Sequence, residues 1–498
     1  MIDPQTRLGR NALWMILSRF GAQGLAVVFT VLLARRLGSA GFGEYAFIAA
    51  VLFVANALTT FGTDMLLIRE IAAQGDLSRL PAALVVQLVL SVLFIAVVWT
   101  FGRWIPNQSP GTITALKIYS LALIPLAFFT VFTTALRGVQ RMDAYSLLSL
   151  IVSALQVGVV LLPNINIVSL AILLLSVQTL AALIAGSFCF RTIPHFRQSW
   201  RFTSFSPFEA FGRTALSALL KAAAPIAFLT LITMLYQRLN VGMLSIMMGA
   251  TATGIYSAAF RGVEASKTAH LAVFAALYPA MSQGLSLRAP QGRSNTCTPW
   301  HCPPGQVCVR CKCPLANEEI APSVSVSTPA LAPGRLDPAG SGPERGASVR
   351  PSANAQGYST SSLLAMTYPK FLLAGAAIIS LILSVFARSL VILLYGIEFT
   401  ASANVLQILA WTLIPFTVNT YLTLSFLASG REGLVGRALT VSLLGLLILN
   451  LWWIPAKGPE GSAWAALVAE CIQSAFLLAG ARSRVHLQGE VHEFPNLP

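Results

Sequence analysis

The sequence predicts an all-α integral membrane protein of about twelve transmembrane helices, built as two repeated six-helix bundles. Three observations carry that expectation. Of 498 residues, 56% are hydrophobic and only 10% charged, whereas soluble domains carry about 25% charged residues. Twelve apolar segments reach or approach the ~20 residues a spanning helix needs. A stretch at a helix junction also recurs: Leu33-to-Tyr45 (LARRLGSAGFGEY) is echoed by Leu244-to-Tyr256 (LSIMMGATATGIY), with Gly38/Gly249, Gly43/Gly254 and Tyr45/Tyr256 each 211 residues apart. Internal repeats are a common plan for membrane transporters. The glycines permit a sharp turn, and the tyrosines suit the water–lipid boundary.

The segments lie near 11–34, 43–66, 80–101, 114–136, 145–163, 167–190, 218–244, 254–284, 365–387, 402–427, 435–455 and 460–481. Short connections make neighbours antiparallel. Residues 1–190 form the first bundle, and 214–287 with 361–485 the second; 486–498 is a tail. Arg7, Arg10, Arg69, Arg79, Arg137, Arg141, Arg431 and Arg437 fall in one set of connections. Arg35, Arg36, Arg103, Arg388 and Lys457 fall in the other. This asymmetry places both termini in the cytoplasm, in keeping with an even number of spans. The first apolar run contains Arg19 and continues as a full span, unlike a cleavable signal. The net charge of +15 is spread between and inside spans, so it reads as topology signals and an anionic ligand, not as a nucleic-acid surface.

Between the bundles, the linker 191–213 is basic and aromatic. It is either an ordinary cytoplasmic loop or an amphipathic segment on the anionic inner leaflet. A second echo, Arg141 against Arg431, has an offset of 290, so the second half has gained about 80 residues. The gain maps to 288–360, a Pro/Ser/Gly/Ala-rich insert with no apolar period, expected to be disordered. Its Cys297, Cys302, Cys308, Cys311 and Cys313 include one C-x-x-C. A zinc site uses two such pairs, so the expectation is no metal and no cofactor, with these five cysteines the candidates if one exists.

Ionisable groups inside spans are costly and mark function. Arg19 in the first span and Arg238 in the seventh can hold an anionic group bidentately; for Arg19 the competing reading is snorkelling, which applies at least equally to Lys117, opening the fourth span near the outer face. In the eighth span Arg261, Glu264, Lys267 and His270 recur every three residues, making one slowly drifting polar face. They form either local ion pairs or a cationic wall in which Glu264 or His270 carries a proton. Arg19, Lys117, Arg238, Arg261 and Lys267 are the candidate substrate ligands. Asp64, Arg69, Glu264 and His270 are candidates for gating or coupling, Asp64 and Arg69 being equally an ordinary helix-end cluster. Pro225, Pro279, Pro369 and Pro415 permit kinks.

Several ordered motifs carry a resemblance: LARRLGSAGFGEYAF at 33–47, FGTDMLLIREIA at 61–72, PIAFLTLITMLYQRLNVGML at 225–244, GIYSAAFRGVEA at 254–265, ALYPAMS at 276–282 and LLYGIEFTASANVLQILAW at 393–411. With them the chain resembles the Wzx-type polysaccharide flippases of the multidrug/oligosaccharidyl-lipid/polysaccharide (MOP) exporter superfamily, over nearly everything except 288–360. The resemblance implies two bundles around a central cavity opening alternately to either side. It implies an undecaprenyl-pyrophosphate-linked oligosaccharide as cargo, the inner membrane as location, and the polysaccharide polymerase and glycosyltransferases of the pathway as partners alongside membrane lipid. Family members often carry Asp where this chain has Asn240, which removes one group able to couple a cation. The competing readings are a drug or cation antiporter of the same superfamily, which would favour buried carboxylates, and a membrane glycosyltransferase or polymerase. The latter needs a catalytic acid or base in an aqueous loop, and the outward loops hold little beyond Glu398 and Glu460. No enzyme activity is therefore expected.

Overall fold

The computed structural model describes the backbone of residues 4–193, 196, 213–286, 358–429 and 431–489, and side chains over 20–193, 196, 220–268, 370–427, 429 and 431–481. Regular structure among these residues is entirely helical: α1 (Pro4–Thr60), α2 (Thr63–Gln74), α3 (Leu80–Phe101), α4 (Pro110–Ser120), α5 (Leu123–Gly138), α6 (Met142–Leu161), α7 (Ile167–Thr192), α8 (Arg213–Met248), α9 (Ala250–Ser286), α10 (Tyr358–Val385), α11 (Ala387–Tyr395), α12 (Ser402–Ala410), α13 (Leu413–Ala428) and α14 (Glu432–Gly489). Met1–Ser282 and Met366–Pro498 form one compact unit, and Gln283–Ala365 form another.

Among the described residues seven helices are long and apolar enough to cross a membrane, or nine if each of two bent pairs is one span. Gly38 and Gly458 break α1 and α14 in two, and α9, more polar, is a further helix of 37 residues. Counted so, the described residues hold twelve helical segments of spanning length. Leu93, Leu183, Phe371, Ile448 and Trp452 are exposed, as lipid contact allows. On the outward face of α7, Ser176, Thr179 and Ser187 donate to carbonyls four residues back, because hydrocarbon offers no other acceptor.

The repeat is visible in the backbone. Gly38 and Gly249 turn with φ of +68° and +81°, a region costly for other residues. At the crossing beside them, a Cβ on Gly43 would overlap the carbonyl of Ala250, and one on Gly254 would overlap the carbonyl of Ser39. Ser39 and Ala250 are themselves 211 residues apart, so the two contacts exchange under a pseudo-two-fold axis. Nearby, Arg35 donates to the carbonyls of Leu393 and Leu394 at the end of α11. At the other junction Asn107 and Gln108 donate to the carbonyls of Ile246 (2.7 Å) and Ser245 (3.0 Å) at the end of α8, the latter also accepting from Gly249 N at 3.2 Å. In both places first-half side chains donate to carbonyls in the last turn of a second-half helix.

The 290-residue offset also holds. Arg141 N donates to Leu136 O at 2.8 Å, and Arg431 N to Phe426 O at 2.9 Å. Breaks at Leu121-Ala122 and Trp411-Thr412 divide the fourth and tenth spans, each four or three residues ahead of a proline, Pro125 or Pro415. Proline cannot donate. The carbonyls of Leu121 and Trp411 instead accept from Ile124 and Ile414, at 3.1 and 3.4 Å.

Four expectations change. Tyr256 is not a boundary residue: it is 1% exposed and accepts a hydrogen bond from Asn240 Nδ2 at 2.7 Å. The second span does not run on to residue 66, because Gly62 (φ +67°) ends it and α2 begins. The ninth span turns by 68° at Phe386, whereas the 41° turn of the tenth is one that Pro415 permits. Lys117 does not open the fourth span; it lies in the last turn of α4, where a cation favours the helix C-terminus. Most of the linker, the insert up to residue 357 and all five of its cysteines lie outside the described residues.

Candidate functional site

Of the polar face expected on α9, Arg261, Glu264 and Lys267 lie among the described side chains, and Glu264 meets a partner from α8. Arg238 and Arg261 share one carboxylate: Arg238 Nη2 donates to Glu264 Oε1 at 3.0 Å, and Arg261 Nη1 to Oε2 at 2.7 Å. Arg261–Glu264 is the i,i+3 pair that helical geometry allows, whereas Arg238 arrives from a neighbouring helix. Two guanidiniums against one carboxylate leave the cluster with one excess positive charge. The Arg238 guanidinium lies 4.4 Å from the ring centre of Phe53 on α1 and 6.0 Å from that of Phe260, a cation–π arrangement. Its Nε is buried and has no hydrogen-bond partner among the described residues. A buried unpaired donor is costly.

Lys267 corrects its assignment. It does not pair with Glu264, whose two oxygens are taken, and it adds no net charge to the cationic cluster. Its Nζ donates to Glu470 Oε1 at 2.9 Å, with the Phe416 ring 4.6 Å away. Asn419 Nδ2 donates to Glu470 Oε2 at 2.9 Å, and Ser474 Oγ donates to Asn419 Oδ1 at 2.8 Å. An unpaired carboxylate at this depth would be expensive; here both oxygens are satisfied. Glu470, Asn419 and Phe53 were not singled out from sequence. Glu470 had a signal, a lone acid inside the last apolar span, but its partner stands 203 residues away.

Asn240 has a structural use. Its amide donates to Tyr256, and its carbonyl accepts from Asn450 Nδ2 at 2.7 Å. Donor and acceptor are both required, which an ionised carboxylate could not supply.

Between α8, α9, α12, α13 and α14 lies a cavity of about 430 Å³. Its wall includes Tyr236, Gln237, Glu264, Lys267, Phe416, Thr423, Glu470 and Gln473. The remaining candidates are not brought into the cluster. Asp64 sits in the first turn of α2, where a negative charge favours the helix N-terminus. Neither it nor Arg69 nor Lys117 forms an ion pair among the described residues, while Glu70 pairs with Arg79 at 2.8 Å. Arg19 and His270 lie on α1 and α9, but their side chains fall outside the described residues.

A family model described as polysaccharide biosynthesis protein matches residues 8–285. A search of curated proteins finds no match. Among solved structures, a multidrug resistance MATE family transporter of the MOP superfamily, inward-facing, superposes with a TM-score of 0.68 at 12% identity, covering 96% of this chain and 100% of that one. The lipid II flippase MurJ, inward closed, gives 0.63 at 12% identity, covering 94% and 87%. A MOP superfamily transporter from Pyrococcus furiosus gives 0.59 at 12%, covering 97% and 96%. At such identities the likeness concerns the fold, which is that of MOP transporters: two helical bundles about a central cavity.

Proposed function

The chain belongs to the polysaccharide biosynthesis protein family, and from that premise we propose that it is a flippase for an undecaprenyl-pyrophosphate-linked oligosaccharide. It turns the lipid-linked sugar from the inner to the outer leaflet of the cell membrane by alternating access, with both termini in the cytoplasm. The polymerase and glycosyltransferases of the same pathway are its functional partners. The observation that carries this reading is the Arg238–Glu264–Arg261 cluster with its excess positive charge. A pyrophosphate must cross about 30 Å of hydrocarbon. A partly buried guanidinium pair supplies counter-charge and bidentate donors along that path, and the lipid tail can stay in the bilayer.

A second reading, a drug or cation antiporter, draws on the MATE likeness and on two carboxylates inside helices, buried Glu470 and half-buried Glu264. Both carboxylates are engaged by basic side chains, which leaves them poorly placed to attract a cationic drug.

The deciding experiment compares lipid-linked sugars by leaflet in cells with and without the gene. Inner-leaflet accumulation on deletion, reversed by the plasmid-borne protein, is the expected result. Unchanged lipid-linked sugars with altered drug sensitivity would select the antiporter.

A further inference from the structure

The cavity beside the arginine cluster does not have the chemistry of an anion site. Its cation, Lys267, is neutralised by Glu470, and Glu264 is neutralised by two arginines. What remains is a mostly apolar wall that carries a few uncharged hydrogen-bonding groups. Tyr236 OH is buried without a hydrogen-bond partner among the described residues. Gln473 is 6% exposed and makes no hydrogen bond among those residues, although an amide offers two donors and two acceptor sites. A hydrocarbon chain would strand these groups at the cost of their desolvation. The Phe416 and Tyr236 rings supply electron-rich faces for slightly positive C–H groups. The volume of about 430 Å³ falls within the roughly 300–1,000 Å³ of small-molecule sites. Hydroxyl-dense molecules with C–H faces, that is sugars, meet all of these requirements.

Position adds the second half of the argument. Glu264 lies in the cavity wall and holds Arg238 and Arg261 with its two oxygens, so anion-binding cluster and neutral cavity adjoin. In a lipid-linked oligosaccharide the first sugar is bonded directly to the pyrophosphate. Charge followed at once by hydroxyls is the order found in the protein.

We propose that this cavity is the sugar-selecting subsite, holding the pyrophosphate-proximal sugar by Gln473 and Tyr236 while Arg238 and Arg261 take the phosphates. The proposal rests on the flippase reading.

The test uses the purified full-length chain in lipid nanodiscs and two probes: inorganic pyrophosphate, and the neutral glycan released by mild acid from the host's own lipid-linked oligosaccharide. Binding of each is measured calorimetrically. Gln473→Leu is expected to weaken the glycan by about tenfold or more, the worth of a hydrogen bond at a buried site, and to leave pyrophosphate unchanged. Arg261→Gln is expected to do the reverse. Tyr236→Phe, which removes one oxygen, should weaken the glycan less and guards against misfolding of the first variant. Glycan binding equal in wild type, Gln473→Leu and Tyr236→Phe overturns the subsite, as does parallel loss of both probes. In either case, retained pyrophosphate binding by the wild type and inner-leaflet accumulation on gene deletion would leave the flippase standing. Wild-type protein that binds neither probe and moves no lipid-linked sugar would overturn the flippase reading itself.

Discussion

The two halves of this chain follow the same path and bury different chemistry. At positions 211 residues apart the first half carries Val27, Phe29, Ala50 and Phe53, where the second carries Arg238, Asn240, Arg261 and Glu264. Backbone features are kept: left-handed glycines at the junctions, prolines at the span breaks, and the matching helix-end hydrogen bonds of Arg141 and Arg431. The interior is not. One bundle is packed with aliphatic and aromatic side chains, while the other holds paired charges and an amide network. Architecture resides in a few backbone-determining residues, so side chains between them are free to specialise. The halves even meet across this difference, since Arg238 stacks on Phe53, the counterpart of its own ion partner.

The sharpest way to break the comparison is to give the second half the interior of the first. Glu264→Leu leaves two partly buried guanidiniums with no counter-charge, a loss approaching the about 3–5 kcal/mol of a broken buried pair. The folded protein recovered from membranes should fall severely, whereas Phe53→Leu at the matched position should be recovered near wild-type level. Quantitative immunoblotting and thermal unfolding in detergent check both. Next in size is activity without loss of fold. Arg238→Ala or Arg261→Ala leaves Glu264 one arginine partner, so protein levels should stay near normal while export is abolished. Normal export from both variants would detach function from the charged half.

A smaller effect tests what the halves share. Pro125→Ala and Pro415→Ala each restore a donor at a span break. Both should slow leaflet transfer by a similar few-fold factor, read in a time course of lipid-linked sugar inversion. A large effect from one and none from the other would make the two breaks inequivalent. The smallest expected effect is none. Deleting 290–358, which has no counterpart in the first half, should leave export unchanged. Loss of export with normal membrane insertion would give the cysteine-rich insert a role.

Much of the architecture was legible because membrane helices announce themselves by apolar length and because glycines recurred at one offset. The Arg261–Glu264 pair was legible for the same local reason, three residues along one helix. Lys267 was misread because its partner is remote. Pairing with Glu470 depends on how α9 and α14 cross, and hydropathy averaging hides one acid among apolar neighbours. The span break at Pro125 escaped notice although Pro415 did not, since the repeat shifts from 211 to 290 residues across the insert and the matching proline is found only with the second offset. Tyr256 shows the limit of residue preference. Tyrosine favours the lipid–water boundary, but Asn240 and Asn450 build a buried polar network that holds it inside.

The glycine crossing constrains how such a molecule can change over generations. At Gly43–Ala250 and Gly254–Ser39 backbone meets backbone with no side chain between. A larger residue on either strand cannot be absorbed by repacking, because the obstacle is a peptide carbonyl and not a flexible side chain. Nor can a compensating side-chain change on the opposite helix make room, since the carbonyls of Ala250 and Ser39 belong to the backbone whatever residue stands there. The interiors of the two halves have been able to drift apart, but at this point each half remains answerable to the other, and neither glycine can be replaced alone.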